Sequence, residues 1–95
     1  LPIKNINTPP GIYFLCKNLK IQYIGQAANV SNRVITHIQE NLKDFDSVYF
    51  ITCPINRLTT LESSLIRYFN PPLNKTCRNT PTQSDELLVN SLFNP

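Results

Sequence analysis

The chain has 95 residues, 41% of them apolar, and a formal net charge of +3, which bounds it to one small domain with one modest core. This composition excludes a disordered tail, and no apolar run approaches the length of a membrane-spanning helix. The positive charge is compatible with a polyanionic partner but falls short of a dense basic patch.

Residues 1–10 contain Pro2, Pro9 and Pro10 and read as an extended lead-in. The runs GIYFLC (11–16) and KIQYIG (20–25) are rich in β-branched and aromatic residues and flank Lys17, Asn18 and Leu19. This spacing predicts a β-hairpin with a three-residue loop and Asn18 in its left-handed position. Neither run alternates between apolar and polar residues, so both faces of the hairpin are expected to be covered.

Asn29 is the expected N-cap of a helix through Asn41, in which Val30, Val34, Ile35, Ile38 and Leu42 recur at helical spacing. Residues 47–53, SVYFITC, read as a third strand ended by Pro54. A second helix is predicted from Arg57 or Thr60 to Phe69, with Leu58, Leu61, Leu65, Ile66 and Phe69 inward and NPP at 70–72 stopping it. Ser84 is the expected cap of a short last helix through Phe93. The element order predicts an α/β fold, a small three-stranded antiparallel sheet flanked by helices. Residues 11–75 would form the core, and 76–95 a polar linker and a C-terminal helix packing on it.

Cys16, Cys53 and Cys77 are odd in number and contain no CxxC pair, so neither a disulfide framework nor a zinc knuckle is indicated. Reduced cysteines and an intracellular location, cytoplasmic or with the nucleoid or nucleus, are expected. The chain begins with Leu1 rather than Met, which suggests a piece of something longer.

Several residues have the chemistry of a site. A three-residue loop would place Tyr13 directly opposite Tyr23, two hydroxyls within reach of one substrate atom, although aromatic cross-strand pairs also simply stabilise hairpins. Arg33 and His37 stand four apart at the edge of the buried helical stripe. Glu62 falls among Leu58, Leu61, Leu65 and Phe69, where an unpaired carboxylate is costly and calls for a cation. Thr59 and Glu62 also fit a capping box, unless Asn56 starts the helix earlier. Asn74 follows the two prolines of NPPLNK. Lys4, Lys17, Lys20 and Lys43 read as a solvated surface with some phosphate affinity.

Taken together these residues resemble the GIY-YIG nuclease domain: Gly11-Ile12-Tyr13, Tyr23-Ile24-Gly25, Arg33 with His37, Glu62 and Asn74 reproduce its motifs in order. The resemblance spans roughly residues 10 to 75. It implies an endonuclease that hydrolyses phosphodiester bonds in DNA, RNA not being excluded, with one divalent metal, Mg²⁺ or Mn²⁺, held by Glu62. Tyr13, or Tyr23 through it, would take a proton from water. Arg33 would grip the phosphate, His37 would hydrogen-bond a tyrosine or relay a proton, and Asn74 would orient the phosphate or hold its neighbours. A separate DNA-binding domain in a longer parent chain is implied as well, and no membrane. One departure stands out, for Gln26-Ala27-Ala28 offer no basic residue after the second tripeptide. The residues leave open a non-catalytic nucleic-acid-binding module of the same fold, and a structural or protein-interaction domain with a buried polar network.

Overall fold

In the computed structural model, which describes residues 8–74 and 81–93, the two apolar runs form strands β1 (Gly11–Lys17) and β2 (Lys20–Ala27), paired antiparallel. Strand β3 (Ser47–Thr52) lies antiparallel on the other side of β1, giving the order β2-β1-β3. β1 is therefore the central strand, and its first six residues are all buried. Its failure to alternate in sequence follows from having both faces covered.

The turn is tighter than the loop predicted from the sequence. Only Asn18 and Leu19 form it, at φ 53° and 64°, the combination with which a two-residue turn follows the twist of its strands. A bulge then shifts the register, with Cys16 facing Ile21, Leu15 facing Tyr23 and Gln22 left as the extra residue. Tyr13 consequently faces Gly25 rather than Tyr23. Tyr23, opposite Leu15, becomes the diagonal neighbour of Tyr13 on the same face.

Helix α1 (Val30–Glu40) begins as expected, the Asn29 side chain accepting from the Asn32 N–H at 3.2 Å. It ends where Asn41 takes a left-handed conformation. The buried positions are Val30, Val34 and His37, while Ile38 and Leu42, expected inward, are 44% and 79% exposed. The Asn41 cap turns the chain away before Leu42, and His37 instead takes the core-facing position of the last turn. α1 covers one face of the sheet, where Tyr13, Leu15, Val30 and Val34 cluster with Tyr23, Ala27, Phe45 and Val48 against them.

The opposite face carries helices α2 (Leu58–Phe69) and α3 (Gln83–Phe93), α2 being preceded by one 3-10 turn at Ile55–Arg57. Ile12, Phe14, Cys16 and Ile24 from the sheet meet Leu58, Leu61 and Leu65 from α2 and Val89 from α3. Arg57 holds the N-cap position of α2 without a side-chain cap, so Asn56 does not cap it and Glu62 lies in the second turn, past a capping box. α3 is capped by Thr82 rather than Ser84. The Thr82 hydroxyl accepts from the Asp85 N–H at 3.2 Å and the Asp85 carboxylate accepts from the Thr82 N–H at 3.0 Å, a reciprocal capping pair.

The lead-in through residue 7, with Lys4, and most of the polar linker, with Cys77, lie outside the described residues. Among the described residues Cys16 and Cys53 are free thiols, and no helix is long and apolar enough to cross a membrane.

Candidate active site

Gly25 explains how a tyrosine on the central strand reaches across β2. A Cβ at this position would collide with the Tyr13 hydroxyl and ring edge. Its absence lets the phenol lie over the neighbouring strand. Tyr13 is 1% exposed, and its hydroxyl lies 2.9 Å from Nε2 of His37. The Arg33 guanidinium, one helical turn before His37, stands near enough to the Tyr13 oxygen for the two groups to act on each other's charge. His37, 2% exposed, packs against both tyrosine rings at centroid separations of 5.5 and 5.4 Å. The tyrosine rings themselves are 6.2 Å apart. The predicted group of Tyr13, Tyr23, Arg33 and His37 is thus assembled, through diagonal rather than opposed tyrosines.

Burial pushes the Tyr13 pKa up to about 12, with Tyr23 and Glu62 adding to the rise and Arg33 opposing it. Burial likewise pushes His37 below its ordinary value, reinforced by Lys43 and Arg33 and opposed by Glu40. At neutral pH the phenol is therefore protonated and the imidazole uncharged. The Glu40 carboxylate, 4.0 Å from Nδ1, favours the imidazole proton on that nitrogen. Nε2 is then free to accept from the Tyr13 hydroxyl.

Lys43, taken from sequence as a surface charge, stands with Nζ 4.7 Å from the centre of the Tyr23 ring, within cation–π range. No spacing signal marks it, because it reaches the site from the loop between α1 and β3.

Glu62 comes from α2, on the other face of the sheet. It is half-buried rather than sunk in the leucine stripe, and its Oε1 accepts from Nε2 of Gln26 at 3.1 Å. Its charge is nonetheless felt at Tyr13. The site thus draws on both faces of the sheet around β2. Among the described residues no three His, Cys, Asp or Glu side chains gather, so no all-protein cage of the zinc kind is formed. A lone half-buried carboxylate whose charge reaches Tyr13 has the hard-oxygen chemistry that suits a divalent cation such as Mg²⁺.

Asn74 is 7% exposed and spends both ends of its amide on the main chain of Ile24, accepting from its N–H and donating to its carbonyl, each at 2.9 Å. The neighbouring Leu73 N–H donates to the Gln22 carbonyl at 2.9 Å. The segment after α2 is in effect stitched to the free edge of β2. Asn74, expected to orient the phosphate or hold neighbouring side chains, thus bonds main-chain atoms of β2.

No protein-family model matches the chain. It is 28% identical, over an alignment of 104 positions covering 96% of it, to the UvrABC system protein C of Caldicellulosiruptor saccharolyticus, and spans 17% of that curated relative's length. Among solved structures it resembles the GIY-YIG N-terminal endonuclease domain of UvrC from Thermotoga maritima. A tyrosine-to-phenylalanine point mutant of that domain, bound to its catalytic divalent cation, superposes with a TM-score of 0.67 at 23% identity, covering 78% of this chain and 91% of the other. The magnesium-bound form gives a TM-score of 0.62 at 24% identity over 76% and 90% of the two chains. The small antiparallel sheet with helices on both faces is an α/β sandwich. The fold is that of the GIY-YIG domain.

Proposed function

We propose that the chain is a metal-dependent endonuclease domain that hydrolyses phosphodiester bonds in DNA, with residues 11–75 as its nuclease core. The observation that carries this reading is the buried Tyr13–His37 hydrogen bond, with the charges of Arg33 from the same face of the sheet and of Glu62 from the other face both acting on the Tyr13 hydroxyl. The similarity to a UvrC endonuclease domain bound to a catalytic divalent cation supports it. A DNA substrate implies an intracellular location. The 17% share of the UvrC relative supports a longer parent chain with a further DNA-binding domain.

Hydrolysis requires that the attacking water lose a proton and that charge on the phosphoryl oxygens be neutralised. Glu62 would hold one divalent cation, Mg²⁺ or Mn²⁺, which when bound supplies positive charge to those oxygens. Alone, a phenol with a pKa of about 12 is already protonated at neutral pH and cannot take another proton from water. The hydrogen bond to His37 resolves this. As the Tyr13 oxygen accepts a proton from water, its own proton passes to Nε2 of His37, leaving an imidazolium beside Glu40. Arg33, whose charge favours the ionised phenol, stabilises any negative charge there and offers its planar fork of N–H groups to the phosphate. Tyr23 packs on both Tyr13 and His37 with Lys43 over its ring, and Asn74 fixes the strand that carries Tyr23 and Gly25.

The test is nicking of supercoiled plasmid with Mg²⁺, with and without chelator, by the wild-type chain and Glu62→Ala. The expected result is metal-dependent nicking by the wild type and none by the variant, which keeps a cooperative melt near the wild-type temperature. DNA binding without any metal-dependent nicking would instead identify a non-catalytic nucleic-acid-binding module. Loss of several degrees in Tm on Glu62→Ala would instead point to a structural polar network.

A further inference from the structure

We infer that Gln26 is a positioning residue for the Glu62 carboxylate: its side-chain amide clamps one carboxylate oxygen with a neutral donor and leaves the negative charge undiminished for a divalent cation. The inference rests on the reading of Glu62 as the metal-holding residue given above, and it accounts for the uncharged residue that follows Tyr23-Ile24-Gly25.

Gln26 stands opposite Ile12 on β2 and so shares the face that packs on α2. Its Nε2 lies 3.1 Å from Glu62 Oε1 and 3.3 Å from Thr59 Oγ1, so both amide protons are engaged. Thr59 and Glu62 are three apart on α2 and hence neighbours on its surface. One amide therefore bridges strand and helix and ties the carboxylate to a fixed point. Without it, a side chain with three rotatable torsions samples several rotamers. With it, one oxygen is held and the other is left facing away from the clamp.

The charge of the clamp matters as much as its place. An ammonium or guanidinium here would pair with the carboxylate and repel an incoming cation at close range. An amide donates the same hydrogen bond without that cost. Among the described residues no Lys or Arg forms an ion pair with Glu62. Groups that orient a metal-holding side chain from behind contribute strongly to affinity, and their removal typically costs about 10–100-fold in metal binding.

The experiment is a Mn²⁺ titration of the 95-residue chain followed by electron paramagnetic resonance, with wild type, Gln26→Ala, Thr59→Val and Glu62→Gln, alongside Mg²⁺ titrations of plasmid nicking. Gln26→Ala is expected to weaken Mn²⁺ binding about 10–100-fold, and its nicking is expected to recover as Mg²⁺ is raised. Thr59→Val, which removes the second anchor of the amide, should weaken binding less and in the same direction. It decides the matter if Gln26→Ala does not fold, since unchanged Mn²⁺ affinity in Thr59→Val would then overturn the inference. Wild-type affinity in a folded Gln26→Ala, or nicking that excess Mg²⁺ does not restore, overturns it too. Glu62→Gln separates the two readings. If it abolishes Mn²⁺ binding while Gln26→Ala leaves binding unchanged, only the role of Gln26 fails; if it binds as the wild type does, the metal-holding role of Glu62 fails and the clamp with it.

Discussion

His37 shows how one residue acquires a chemistry that its type alone does not specify. An exposed histidine is half charged near pH 6.5, but burial against two tyrosine rings and the proximity of Lys43 and Arg33 hold this one lower. Only its neutral form can accept the Tyr13 proton. Activity that depends on it should therefore fall as the pH drops through the lowered value. The expected kcat–pH profile at saturating Mg²⁺ has an acid limb whose midpoint lies below 6.5, and a midpoint above 6.5 would contradict the relay. Lys43→Gln removes one of the repelling charges, so its acid limb should move to higher pH. The helical spacing of Arg33 and His37 made both legible as a pair. The position of Lys43 was not legible, because a loop places it and a loop has no periodicity.

At the level of elements, α3 is fastened by one acid that no pattern announced. Asp85 is 1% exposed and makes a two-pronged ion pair with Arg67 of α2, both N–O distances being 2.9 Å, while also capping its own helix. Arg67 and the Thr82 N–H hold its carboxyl well below the usual carboxylate range. With a native-state pKa below the unfolded one, the unfolded chain binds more protons in acid, so this stabilisation is present above about pH 4 and is lost as the pH falls. Asp85→Asn should lower stability by about 1–3 kcal/mol at pH 7, and in urea melts the gap to wild type should narrow between pH 5 and pH 2. A gap that stays constant over that range would exclude the ion pair as its source. The cap itself could have been read as Thr82 with Asp85 three residues on. Ser84, the expected cap, instead lies in the first turn of α3, because Asp85 bonds Thr82 while reaching Arg67.

For the whole molecule, the site straddles a sheet whose two cores are complete without Glu62. Tyr13, Leu15, Val30 and Val34 pack on one face, and the leucines of α2 pack on the other. Glu62 is held by Gln26 and is not embedded in either cluster. A cation there should thus act on chemistry and hardly on folding, since a weakly bound ligand adds little to stability. Chelation is expected to abolish plasmid nicking and shift Tm by no more than about 1–2 °C, as read by thermal melts with and without chelator; a shift of several degrees would mean that the ion is part of the fold.

The order of strands and helices, the Asn29 cap, the stop at Asn70 and the four-residue spacing of Arg33 and His37 were all written locally. Periodicity, capping and turn chemistry act over a few neighbouring residues, and these stretches carry them plainly. The register of β1 on β2 was not local in that way. It turned on Leu19 accepting a left-handed conformation and on one bulged residue, Gln22. The contacts that make the site run between residues 24, 36 and 50 positions apart: Tyr13 with His37, Gln26 with Glu62, and Ile24 with Asn74. Only tertiary structure could decide those, because such pairs meet through the packing of whole helices on a sheet, and no short window of sequence contains both partners.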